Sequence, residues 1–187
     1  MKSLNRYMAD RCNGIAACLY EYYVSYETDY REKLAYLPIP IHLPATESTD
    51  ARWEDGGKVR FFIGIQHDRS PLKGTDVFDR ILREIEQKYP DACEVRRVVS
   101  VPLPEYLRLM RSSHVLIDQL YSYTPATNAL QAMAQGLCVV SGAEPEYYDF
   151  IGEKRLRPIY NALPDEQQAY RLFEQIITEH DTLPQRC

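Results

Sequence analysis

The chain has 187 residues, 45% hydrophobic and 26% charged, the balance of an ordinary soluble globular protein. That length holds one well-buried domain plus an appendage and is short for two full domains. A net charge of −5 argues against general nucleic-acid binding, which needs a basic face to meet phosphates, and leaves room only for a local basic cleft.

Residues 1–44 differ from the rest. The run NGIAACL (Asn13 to Leu19) reads as a short strand, Tyr20 to Leu34 as a polar, tyrosine-rich helix, and YLPIPIHLP as extended chain because its prolines exclude helix. Five of the fifteen tyrosines fall between Tyr20 and Tyr30, placed to line an interface or to pack with wet hydroxyls. Thr46 to Gly57 is a polar linker whose lone Trp53 is positioned to fold back onto the body.

From Lys58 onward strand and helix alternate. VRFFIGI (Val59 to Ile65) is a continuous apolar run, as in a strand buried on both faces. After the loop QHDRSPLKG, Thr75 or Asp76 caps a helix reaching Tyr89, with Val77, Phe78, Ile81, Leu82 and Ile85 on one face. CEVRRVVSV is the second strand, Pro104 opens a short helix, and VLIDQLY (Val115 to Tyr121) is the third strand. Thr124 as N-cap and Pro125 at the first helical position begin the next helix, which Gly136 ends. LCVVSG is the fourth strand, and Cys138 within it reads as a small core residue. A short helix near Tyr147 to Glu153, an extended LRPIYNAL and a helix from Asp165 to about His180 complete the chain. The alternation predicts an α/β fold, a doubly wound parallel sheet with an N-terminal strand-helix arm, divided as arm and linker at 1–57 and sheet domain at 58–187.

Several chemistries lack their residues. The five cysteines form no CxxC pair, so neither a disulfide framework nor a zinc site emerges and a reducing cytoplasm fits. The four histidines share no ligand spacing, and with no DxD a metal-bridged diphosphate has no ligands. Neither GxGxxG nor GxxxxGK[ST] occurs, which lowers NAD and P-loop readings. The N-terminus has no apolar core of signal-peptide length, and no run approaches the ~18 residues of a membrane span.

Ligands of such sheets bind beyond the carboxyl ends of the strands. The first of these loops carries Arg69, Lys73 and Gly74, a flexible ammonium beside a glycine that leaves room for a diphosphate. In the third, Thr124-Pro125-Ala126-Thr127 puts backbone N–H groups at a helix start, where the dipole favours anions. Gln131 lies seven residues past Thr124, in reach of a ligand over that helix start. Asp118, inside the third strand, needs partners if buried, as a structural acid or a site acid. Glu144 and Glu146 follow the fourth strand and read first as helix caps.

LKGTD after a strand, then a strand-turn-helix ending LQAMAQGLCVVS, resembles the C-terminal half of retaining GT-B glycosyltransferases of the group-1 (GT4-like) type. Motif support runs over about Val59 to Gly142, and ADRCNGIAACLYEYYVSYETDYREKLAYLPIPI looks like that family's connection between domains. The resemblance implies a Rossmann-like domain binding a UDP-, GDP- or ADP-sugar with no further cofactor, in glycan or polysaccharide assembly. It puts Gly64, Lys73, Gly74 and, more loosely, Arg69 at the donor, with Thr124, Ala126 and Thr127 at its phosphates. Gln131 stands where the family has the glutamate that grips ribose, Tyr123 where it has its first glutamate, Ala126 for a glycine and Cys138 for a proline. Both acidic positions are thus neutral, which bears on donor activation.

The family also brings its acceptor on an N-terminal domain and reacts in the cleft between the two. This chain is expected not to transfer sugar alone and to need an acceptor-domain half, or to pair as a homodimer through residues 1–44. Its setting would be cytoplasmic, or the inner face of a membrane through a partner. The competing reading is a non-catalytic nucleotide-binding or interaction module. A response-regulator-like domain needs an acidic cluster after the first strand, and Asp68 alone does not supply one.

Overall fold

The computed structural model describes residues 3–43, 53 and 57–185. The helices are α1 (Ser3–Arg11), α2 (Tyr20–Tyr30), α3 (Ser70–Lys73), α4 (Thr75–Lys88), α5 (Leu103–Arg111), α6 (Thr127–Met133), α7 (Pro145–Ile151) and α8 (Glu166–Thr178). The strands are β1 (Ile15–Ala17), β2 (Leu34–Tyr36), β3 (Val59–Ile65), β4 (Cys93–Val99), β5 (Val115–Ile117), β6 (Cys138–Ser141) and β7 (Ile159–Asn161).

Strands β3 to β7 form one parallel sheet in the order β4-β3-β5-β6-β7, the doubly wound architecture expected from the alternation. Side chains alternate between its faces. Phe61, Ile63, Val115, Ile117 and Val140 meet α4 and α8 through Phe78, Leu82, Phe173 and Ile176. Phe62, Leu116, Val139 and Ile159 face the other way, against Met110, Ala129, Ala132 and Tyr148 of α5, α6 and α7. Two layers of helix explain why β3, β5 and β6 read as largely apolar runs. Edge strand β4 is more polar, and its half-buried Arg97 is held by Asp79 at 2.5 Å and Glu86 at 2.9 Å.

The arm carries the second, two-stranded sheet. Strands β1 and β2 pair in parallel, Ile15 opposite Leu34 and Ala17 opposite Tyr36, with α2 as the crossover. The expected helix stops earlier, at Tyr30, and a 3-10 turn (Arg31–Lys33) leads directly into β2. Helix α1 was not legible in MKSLNRYMADRC; Tyr30 ties it down by donating from its hydroxyl to Asp10 at 2.6 Å.

The linker 46–57 lies mostly outside the described residues. Trp53 does fold back, its ring stacked on His114 at 4.3 Å. Three helix starts differ from the sequence reading. A single turn, α3, occupies what reads as loop before Lys73, and Gly74 rather than Thr75 is the N-cap of α4, at φ 71°. Helix α6 begins at Thr127 with Ala126 at the N-cap position and no side-chain cap, not at Thr124-Pro125. Asp165 caps α8 as expected, accepting from Gln167 and Gln168. Cys138 is buried in the core and disulfide-bonded, where its sequence position suggests only a small core residue.

Candidate functional site

Strand order reverses between β3 and β5: the chain leaves β3 for β4 on one side and returns to β5 on the other. Their carboxyl ends therefore diverge into a crevice, flanked by the loops 66–74 and 118–126. Here the two loops are pressed together. Leu120 donates its N–H to Lys73 O at 2.7 Å, and a Cβ on Gly74 would stand 2.6 Å from Leu120 Cβ. A side chain at 74 would force the loops apart, and the left-handed φ there also favours glycine. On the far side the loop 118–126 crosses the end of β6. Gly142 donates its N–H to Gln119 O at 2.9 Å, and a Cβ there would overlap Ser122 O at 1.6 Å.

Asp118, one residue past β5, is the buried polar centre of the crevice, only 3% exposed. Its Oδ1 accepts from Asn128 Nδ2 at 3.3 Å, while Oδ2 has no partner among the described residues. Asn128 is itself oriented, because its Oδ1 accepts from the Tyr106 hydroxyl at 2.9 Å. Burial raises the Asp118 pKa above the ordinary carboxylate value; the Lys73 charge, Asn128 and the Ala126 N–H pull it back. Burial likewise pushes the Tyr106 hydroxyl up to about 12, so it stays a neutral donor.

The expected site residues fall in different surroundings. Lys73 and Gly74 stand at the crevice, with Lys73 close enough to act on the Asp118 charge. Thr127 lies at the uncapped start of α6 and Gln131 one turn further, both on the helix that turns Asn128 toward Asp118. Arg69 is exposed, at the end of the 3-10 turn before α3.

Gly64 and Thr124 have other company. A Cβ on Gly64 would lie 2.7 Å from the Tyr106 hydroxyl, so its bare face is what admits Tyr106. Thr124 is buried and directs both its N–H and its hydroxyl to Glu21 of the arm, at 3.0 and 2.6 Å. Tyr123 is 51% exposed, with its ring 6.3 Å from that of Tyr20. Glu144 caps through position rather than side chain: it is the N-cap residue of α7 and accepts from Asn161 at 3.3 Å.

Sequence reasoning missed Asn128, Tyr106 and Glu21. A signal existed for Asn128, which sits one helical position after Thr127 and ten residues after an acid that needed a donor. None existed for Glu21, about a hundred residues away along the chain. Among the described residues no group of three His, Cys, Asp or Glu stands together to hold a metal, and no helix is long and apolar enough to cross a membrane.

No family profile matches the chain, and no curated protein sequence matches it. Solved structures do. The chain is similar to WaaG, a glycosyltransferase involved in lipopolysaccharide biosynthesis, with a TM-score of 0.57 at 15% identity over 99% of this chain and 62% of that one. It is similar to TarM with a TM-score of 0.57 at 12% identity, over all of this chain and 41% of that one. The fold is glycosyltransferase-like, a Rossmann-like half of the GT-B kind. The chain spans less than two thirds of the length of either structure.

Proposed function

We propose that the chain is the nucleotide-sugar donor half of a retaining, group-1 (GT4-like) GT-B glycosyltransferase acting in glycan or polysaccharide assembly, with the acceptor half supplied by other polypeptide. The observation that carries this reading is the crevice at the strand-order reversal, where the Lys73 charge acts on the buried Asp118 carboxylate, one oxygen of which has no partner among the described residues. Lys73 neutralises the diphosphate, and Gly74 keeps the backbone low enough for it to approach. The uncapped amides at the start of α6, from Thr127 onward, add donors that no side chain of the helix satisfies. Gln131 hydrogen-bonds the ribose, and the free Asp118 oxygen accepts from a ligand hydroxyl. Residues 1–57 form the connection toward the acceptor half, or residues 1–44 a homodimer contact, and Leu4, Tyr7 and Met8 of α1 are more than half exposed for it.

With neutral side chains at 123 and 131, the same crevice also serves a module that binds a nucleotide without turning it over. Calorimetric titration of UDP, GDP and ADP and their sugars tests binding first, with Lys73→Ala and Gln131→Ala as controls. One diphosphate is expected to bind at micromolar affinity and to weaken at least tenfold in Lys73→Ala. No binding of any of them overturns the donor reading for this chain. Hydrolysis or transfer by the chain once joined to an acceptor half separates enzyme from module.

A further inference from the structure

The loop 118–126 is fastened on three sides by the body: Leu120 to Lys73, Gly142 to Gln119, and Glu144, whose N–H donates to Tyr123 O at 3.1 Å. Its fourth side, the outward-turned amides of Tyr123 and Thr124, is closed by a side chain from the arm. Glu21 Oε1 accepts from Tyr123 N at 2.8 Å and Thr124 N at 3.0 Å, and Oε2 accepts from Thr124 Oγ1 at 2.6 Å. Ser122 Oγ lies 2.8 Å from Oε1 and 2.6 Å from Thr124 O, so its single proton is shared between them.

Glu21 stands in the first turn of α2, where a carboxylate ordinarily serves its own helix N-terminus. It reaches across to the body instead, and charge-assisted bonds of this kind are about twice as strong as neutral ones. The position of α2 that permits this is set nearby by Phe150 of α7, whose ring meets Tyr20 at 5.3 Å, Tyr23 at 4.8 Å and Tyr36 at 4.9 Å.

We infer that Glu21 is a positioning residue for the crevice: it locks the loop between Asp118 and the start of α6, and so makes the geometry of that loop depend on the arm. A ligand held at the crevice then senses whether the arm is seated. The second statement rests on the donor reading above; the first does not.

Amide hydrogen exchange and diphosphate titration of the intact chain test both, in Glu21→Ala and Glu21→Gln. In Glu21→Ala the Tyr123 and Thr124 amides are expected to exchange at least tenfold faster while amides of β3 and β5 keep their protection, and diphosphate affinity is expected to fall about tenfold. Glu21→Gln retains an acceptor oxygen for both amides, so it should restore most of the protection and affinity. Unchanged exchange at Tyr123 and Thr124 in Glu21→Ala overturns the lock. Faster exchange with unchanged affinity overturns the coupling to the ligand. If the wild-type chain binds no diphosphate, the donor reading and the coupling fall together, and exchange at the two amides still decides the lock.

Discussion

The five-stranded sheet and the arm are held together by different means. In the sheet, Phe61, Phe62, Leu116 and Val139 are wholly enclosed between two helix layers. In the arm, among the described residues, only Ala9, Ala17 and Tyr30 are buried, and α2 buries Tyr30 alone. The sheet rests on non-directional burial, which tolerates small shifts of its neighbours. The arm rests on a few directional contacts, the Glu21 carboxylate and the rings around Phe150, and these fix where it sits. A part with little apolar area of its own takes its position from the surface it meets.

Three substitutions sharpen or break that contrast. The largest effect belongs to Phe62→Ala, which empties a site enclosed by Leu116, Val139 and Tyr106, the Tyr106 ring lying 4.9 Å away. Denaturant unfolding should lose ~3–5 kcal/mol in a single transition. A loss below ~1 kcal/mol would mean that the core collapses around the gap and is less specifically packed than it looks.

Phe150→Ala should act on the arm and spare the sheet. Aromatic pairs contribute ~0.5–1.5 kcal/mol each beyond their area, so removing the shared ring of three pairs should release β1, α2 and β2. The expected result is proteolytic cleavage within 15–36 at a rate at least tenfold higher, with the body fragment persisting. Cleavage that spreads into the sheet at the same rate would show that the two parts unfold as one.

The smallest effect, of opposite sign, is expected from Asp118→Asn. Burial raises the Asp118 pKa, so the folded carboxyl holds its proton more firmly than the unfolded one. Its stabilising contribution is then fully present below the ordinary carboxylate range and lost as pH rises through the folded value. Where the wild-type carboxyl is ionised, above its raised folded value, it is a desolvated charge that the amide lacks. Asp118→Asn should raise Tm by ~2–4 °C there, equivalent to ~1 kcal/mol in a chain of this size, and the gain should vanish toward acid pH. A gain of the same size at all pH values would place the effect in packing rather than charge.

Much of the sheet was legible because a strand covered on both faces must be largely apolar, as VRFFIGI (Arg60 apart) and LCVV are. Strand β5 is shorter than its sequence run, since the chain turns out of the sheet at Asp118 to form the crevice. Capping was the least legible feature. Thr124-Pro125 has the local chemistry of a helix start, yet a carboxylate from the arm takes the Thr124 hydroxyl and the helix begins three residues later. Lys73 and Gly74 stood out because a cation and a permissive backbone are local properties. Asn128 and Tyr106 did not, because their role exists only in relation to Asp118 and to each other.

By itself the sequence determined the order and type of the body's main elements, though not the single turn α3, together with the parallel sheet and the loops that end at its carboxyl edge. These follow from hydrophobic period and from glycine and proline chemistry, all short-range properties of the chain. Only the tertiary structure decided which loops touch. It set Leu120 on Lys73, pressed Ser122 onto Gly142, left one oxygen of Asp118 without a donor among the described residues and brought Glu21 to amides a hundred residues away. Hydrogen bonds and close backbone approaches depend on ångström-scale placement of distant segments, and nothing in the spacing of residues along a chain encodes that distance directly.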